Sequence, residues 1–135
     1  MDKALNYLAL ARKGGRVELG EEPVGAAARA GKAYLIVVAS DAGDHTWRRA
    51  KSYAAGTPQQ TLKVSFTKDE LGMAIGRSAL ALAAVTDAAL ALALVQSLPE
   101  ANPAALQVLE EKVSKLKKRQ SEAKAHKRNV RKGKK

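Results

Sequence analysis

Residues 67–87 read TKDELGMAIGRSALALAAVTD, and their reading decides the class of fold. Thr67, with Glu70 three residues on and the apolar Leu71 behind it, forms a capping box. In such a box the threonine oxygen takes the N–H of residue 70 and the glutamate takes the N–H of residue 67. A helix therefore starts here, and it is short because Gly76 closes it. Leu80 to Val85 is then a continuous apolar run between breakers, the pattern of a strand buried on both faces. Asp87 caps a further helix that reaches about Ser97.

The same alternation extends upstream. Tyr34 to Ala39 (YLIVVA) is a second run of the buried-strand kind. Gln60 to Phe66 alternates apolar and polar residues, as a half-buried strand does. Arg16 to Leu19 is a short strand. Three helices accompany them. The first is capped by Asp2 and runs to about Lys13, with Leu5, Leu8, Ala9 and Arg12 on one face, and Gly14-Gly15 stops it. The second opens on Glu21-Glu22-Pro23, where proline and acids suit a first turn, and ends at Gly31. The third is expected to take its cap from Asp44 or Thr46 and to turn Trp47, Ala50 and Ala54 inward. Near-strict alternation predicts an α/β protein: a three-layer α/β/α sandwich with a small sheet of about four strands, over residues 1–98. The apolar content is 46%, but 27 of those residues are Ala, which suits helices packed closely on a small sheet.

Residues 99–102 read as a linker and 103–135 as a basic helical extension with a disordered end. Asn102 is a suitable cap and Pro103 a suitable first helical residue. Leu106, Leu109, Val113 and Leu116 form a short seam that serves either a weak coiled-coil dimer or docking on the body. A monomer is the first expectation. From Lys117 onward large apolar residues nearly vanish, and NVRKGKK is expected to be disordered. Ser78 to Leu98 carries one charge, Asp87. An acid near its centre and its alanine content argue against a membrane span. The opening MDKALNYLALARKGG does not read as a signal peptide, and a cytoplasmic location is expected.

The absence of cysteine removes disulfides, thiolate zinc sites and cysteine nucleophiles. Ser40, Asp41 and His45 lie close together but lack a nucleophile-elbow pattern, and His126 has no ligand partners at metal spacing. Gly72 and Gly76 lack the lysine or fingerprint of a phosphate loop. No enzyme activity, metal or cofactor is therefore expected. The net charge of +11 points instead to a polyanion, with nucleic acid the first choice. That charge has an address. Residues 112–135 hold 12 Lys+Arg and the single acid Glu122, whereas residues 1–111 hold 12 of each sign. Two places are candidates for nucleic acid. One is the loop edge of the sandwich, where Arg12, Lys13 and Arg16 surround Gly14-Gly15 and the second helix offers free N–H groups. The other is the tail, through Lys117, Lys118, Arg119, Lys124, Lys127, Arg128, Arg131 and Lys132.

The blocks LALARKGGRVELGEE, ARAGKAYLIVVASDAGDHT and TKDELGMAIGRSALALAAVTD, in that order, resemble the kink-turn RNA-binding ribosomal protein family over about residues 3–95, and its small bacterial members above all. The resemblance implies the same α/β/α sandwich. It further implies that two loops grip a kink-turn, a sharply bent RNA helix with tandem sheared G·A pairs. By position these are Gly20, Glu21, Glu22 and Pro23, and Gly76, Arg77, Ser78, Ala79 and Leu80. Lys13, Gly15 and Arg16 join the candidate set from the loop-edge reading above, not from the resemblance. Kinked RNA exposes base edges and unstacked faces that an A-form groove hides. Three positions depart from the family pattern: Glu22 stands where the family has Asn, Pro23 where it has Glu, and Ala26 where it has Lys. Glu22 keeps a carboxylate, which can accept from exocyclic amines. The function expected is RNA binding in the translation apparatus, with the tail adding electrostatic affinity. Alternatives are a non-specific RNA chaperone or ribosome-associated binder working through the tail, and a helix-mediated protein interaction module.

Overall fold

A computed structural model of the protein describes residues 2–100 and 102–133, with 125–133 described by backbone alone. The elements run α1 Lys3–Lys13, β1 Val17–Leu19, α2 Glu21–Arg29, β2 Leu35–Val38, α3 Asp44–Ala54, β3 Gln60–Lys63, α4 Lys68–Ala74, β4 Leu82–Val85, α5 Ala88–Gln96 and α6 Pro103–Gly133. The four strands form one sheet in the order β1-β4-β2-β3. β4 is antiparallel to both β1 and β2, while β2 and β3 run parallel. α1, α4, α5 and α6 cover one face, and α2 and α3 cover the other. This is the expected three-layer sandwich.

The central strands are β2 and β4, and every residue of both is buried. That explains their uninterrupted apolar sequences, since a strand with helices on both faces has no solvent side. The helix caps also follow the local chemistry. Asp2 accepts from the Ala4 N–H, Thr67 and Glu70 complete the capping box, and Asp87 accepts from the Leu90 N–H. α3 differs from expectation. Its cap is Gly43, with no side-chain bond, and Asp44 is its first residue. Thr46 faces α2 instead, and its hydroxyl donates to Glu21 at 3.4 Å.

Three strands are shorter than their apolar or alternating runs suggest. Tyr34 and Ala39 flank β2. Leu80 and Ala81 precede β4 rather than belong to it, and Val64 to Phe66 lie beyond β3. The reason is pairing. The β2–β3 ladder ends at Val38 opposite Lys63, after which single bonds (Val64 N–H to Val38 O, Ser40 N–H to Phe66 O) carry the chain away.

The core continues past the break at residues 99–102. Ala105 and Leu109 of α6 are buried with the body, Leu106 packs against it, and α5 lies between α1 and α6. Leu106 and Leu109 of the seam thus dock on the body, while Val113 and Leu116 farther along are half-buried. The same packing accounts for the apolar stretch from Ser78 to Leu98. Among the described residues no helix is long and apolar enough to cross a membrane. The backbone of α6 continues to Gly133, through most of the NVRKGKK stretch, and Lys134 and Lys135 lie outside the described residues.

Candidate nucleic-acid interface

α1 ends in a turn that carries the first cluster of cations. Gly15 has φ +67°, and the Arg16 N–H closes the turn on the Ala11 carbonyl at 2.8 Å. This is the six-to-one bond of a Schellman motif. Arg12 and Lys13 are left exposed. Arg16 is not free. Its guanidinium donates to Asp87 at 2.7 Å, and the same carboxylate caps α5 through the Leu90 N–H. Arg16, one of the expected RNA contacts, ties the entry of β1 to the start of α5 while its side chain stays 57% exposed. Lys13 lies on another flank of α1, beside Asn6, Ala9 and Leu10.

The start of α2 hangs on Gly20, whose N–H reaches the Leu82 carbonyl at 3.2 Å with φ +93°. Gly20 offers no side-chain cap, so the first N–H groups of α2 have no side-chain acceptor. The two glutamates there behave differently. Glu21 turns to α3, accepting from Arg49 at 3.0 Å and from Thr46. Glu22 is exposed, with no hydrogen-bond or ion-pair partner among the described residues.

The loop after α4 is shaped from beneath. A Cβ on Gly72 would stand 2.7 Å from both the N and Cα of Ala79 and 2.9 Å from the Arg77 carbonyl. Only a residue without a side chain lets the loop lie so close to the helix. Gly76, at φ +77°, reverses the chain. Arg77 N–H then donates to the Gly72 carbonyl at 2.8 Å, and Leu80 N–H to the Lys68 carbonyl at 2.9 Å. Arg77, Ser78 and Ala79 are exposed. Leu80, which the resemblance places among the RNA contacts and its apolar run places in a buried strand, is 3% exposed and belongs to the core. It anchors the loop, and the apolar surface offered to solvent falls to Ala79.

These segments, two from residues 12–23 and one from residues 76–80, meet along β1. β1 is an edge strand, paired to β4 at Val17–Val85 and Leu19–Ala83. It spans only about 7 Å from first to last residue. Arg12, Gly15, Glu18, Pro23 and Arg77 consequently line one open groove. Of the residues singled out from the sequence, Arg12, Gly15, Pro23 and Arg77 line it directly, and Gly20, Glu21 and Glu22 lead into Pro23 in the chain. Glu18 is an addition to the expected set, although the alternation VEL, buried–exposed–buried, marks it as the outward residue of the strand. Gly72 is a second addition. No local signal reveals its role, because the backbone it touches lies in a turn whose path only the fold defines.

The tail begins elsewhere. At Leu109 and Lys112, α6 passes Tyr34, Pro58 and Gln59, at the starts of β2 and β3. β3 is the edge opposite β1, three strand spacings or about 14 Å away. Lys117, Lys118, Arg119 and Lys124 are exposed along the helix. The side chains of Lys127, Arg128, Arg131 and Lys132 lie outside the described residues. Among the described residues no group of three His, Cys, Asp or Glu side chains is placed to hold a metal ion.

The profile of the ribosomal protein L7Ae/L30e/S12e/Gadd45 family matches residues 2–93, about two thirds of the chain. The chain belongs to this family. The match covers all four strands and the three converging segments, and it stops before α6. Among solved structures, a protein of unknown function from Bacillus halodurans is similar at 32% identity and TM-score 0.68, over 74% of this chain and all of that one. A 15.5 kD RNA-binding protein from Giardia lamblia shares the fold at 19% identity and TM-score 0.51, over 85% of each chain. Comparison with curated proteins finds no match.

Proposed function

We propose that the protein binds structured RNA of the kink-turn kind, in the translation apparatus, through the groove along β1. The observation that carries this reading is the convergence of the α1–β1 turn, the start of α2 and the α4–β4 loop on one solvent-open edge bearing Arg12 and Arg77. Family membership supports it. So does the chemistry: cations suit phosphates, the exposed Glu22 carboxylate can accept from a base amine, and Ala79 can cover an unstacked base. The reading involves no covalent step and places the protein in the cytoplasm as a monomer.

A gel-shift titration of the full chain tests the reading. A kink-turn RNA binds more tightly than the same RNA with its tandem G·A pairs replaced, and equal affinity for the two refutes kink-turn recognition. The basic arm supplies a separate, sequence-independent contribution. Replacing Lys117, Lys118, Arg119 and Lys124 by Gln lowers the slope of log affinity against log salt by about 0.7–0.9 for each phosphate no longer neutralised. An unchanged slope shows that the arm does not touch RNA. The second reading, a non-specific binder working through the arm, is favoured by the zero net charge of residues 1–111. It predicts that Arg77→Ala leaves affinity intact while the arm substitutions abolish it.

A further inference from the structure

The groove along β1 does not stop at Pro23. Glu18 and Pro23 also line a second open hollow, completed by Ala26, Ala30, Lys32 and Thr86. Its wall is the outward side of α2, where Pro23, Ala26 and Ala30 bring no polar side-chain atom. From Pro23 to Ala30 this wall runs about 10 Å. Lys32 stands at its far end, placed there by the same kind of turn that places Arg77. Gly31 has φ +69°, its N–H donates to the Ala28 carbonyl at 3.0 Å, and the Lys32 N–H donates to the Ala27 carbonyl at 2.9 Å.

Three helices thus end in a left-handed glycine followed by a cation: Arg16, Lys32 and Arg77. A cation at a helix C-terminus complements the dipole, which is reason enough for all three. Their fates differ, however. Arg16 is taken by Asp87, while Lys32 and Arg77 have no carboxylate partner among the described residues and lie at the two ends of the joined hollows. Between them Glu18 lines both hollows. It is exposed and has no hydrogen-bond or ion-pair partner among the described residues. A carboxylate there is badly placed for a phosphate. It is well placed for the donor of a base lying between two phosphates.

We infer that the hollow between β1 and α2 is a subsite for the RNA strand leaving the three-loop groove. Lys32 and Arg77 take its phosphates, and Glu18 accepts a hydrogen bond from the exocyclic amine of an unstacked base. Adenine, cytosine and guanine carry such an amine, whereas uracil carries carbonyl oxygens at its exocyclic positions, which repel a carboxylate and flank its one donor, the ring N3–H. The subsite therefore discriminates against uridine. This rests on the proposed RNA-binding function and adds two residues and a base preference to it.

Fluorescence anisotropy with the full chain tests the subsite, using two labelled kink-turn RNAs whose unpaired nucleotides are all cytidine or all uridine. The wild type binds the cytidine form about fivefold or more tightly, the low end of what one base-edge contact gives. Glu18→Ala binds both alike, and Glu18→Gln, which can either accept or donate, narrows the ratio. Lys32→Ala weakens both forms equally and lowers the salt slope by about 0.7–0.9, as Arg77→Ala does, while Lys3→Ala at the start of α1 leaves it unchanged. A wild type blind to the swap, a ratio that survives in Glu18→Ala, or an unaltered slope in Lys32→Ala overturns the subsite. Equal binding to kink-turn RNA and to RNA lacking the G·A pairs overturns the proposed function instead. Glu18 and Lys32 are both exposed, and matching urea midpoints exclude unfolding as the cause.

Discussion

Gly72→Ala isolates the packing that shapes the α4–β4 loop. Gly72 sits inside α4, where Ala is favoured over Gly by about 1 kcal/mol, so propensity alone predicts a more stable protein. The tertiary structure predicts the reverse. The new Cβ would lie 2.7 Å from the Ala79 backbone, and ordinary contact begins near 3.4 Å. The atoms it meets are backbone, so no rotamer change relieves the clash and the loop must move. Overpacking of this kind costs about 1–3 kcal/mol. The movement also strains the bonds from Arg77 N–H to Gly72 O and from Leu80 N–H to Lys68 O, each worth about 0.5–1.5 kcal/mol. Set against the helix gain, the net loss is about 1–3 kcal/mol. Urea denaturation measures it directly, with Met73→Ala as a control in the same helix. Met73 is 76% exposed, and its truncation changes stability by less than about 0.5 kcal/mol. A Gly72→Ala protein as stable as the wild type, or more stable, refutes the close approach of loop and helix. The loop carries Arg77, so weaker RNA binding accompanies the expected loss.

Two further substitutions test the joints of the fold. Leu109→Ala, at a side chain 1% exposed, lowers stability by about 2–5 kcal/mol because the first turns of α6 are part of the core; a change below about 0.5 kcal/mol in urea denaturation contradicts that docking. At Asp87, whose two oxygens serve the Leu90 N–H and Arg16, the structure orders the variants. Asp87→Asn retains a capping oxygen and loses only a solvent-exposed ion pair, under about 1 kcal/mol. Asp87→Ala loses both, about 1–2 kcal/mol. Equal losses for the two in the same denaturation assay show that the cap contributes nothing.

The local signals in the sequence are sufficient for the class of fold. The capping box at Thr67 and Glu70, the caps at Asp2 and Asp87, the stops at Gly15, Gly31 and Gly76, and the apolar runs of β2 and β4 all act over a few residues, and each stands where the sequence places it. Blocks at matching spacing likewise mark the family. Pairing lengths are not legible in the same way, because a strand ends where its partner does. The fates of individual charges are also hidden. Arg16 and Arg77 follow identical glycine turns, yet one meets Asp87, 71 residues away, and the other faces solvent. Leu80 reads both as the start of a buried strand and, by the resemblance, as an RNA contact; the fold decides for burial, because Gly72 lets the loop lie against α4 with that side chain in the core. Short-range hydrogen bonding and hydrophobic periodicity are properties of the chain itself, so the sequence by itself determined the elements and the layers. Which cation is spent on an ion pair, which loop side chain is buried, and that Glu18 lies between two open cations are decided by strand order. β1 pairs with β4, and that pairing alone brings residues 12–18, 23 and 77 to one edge.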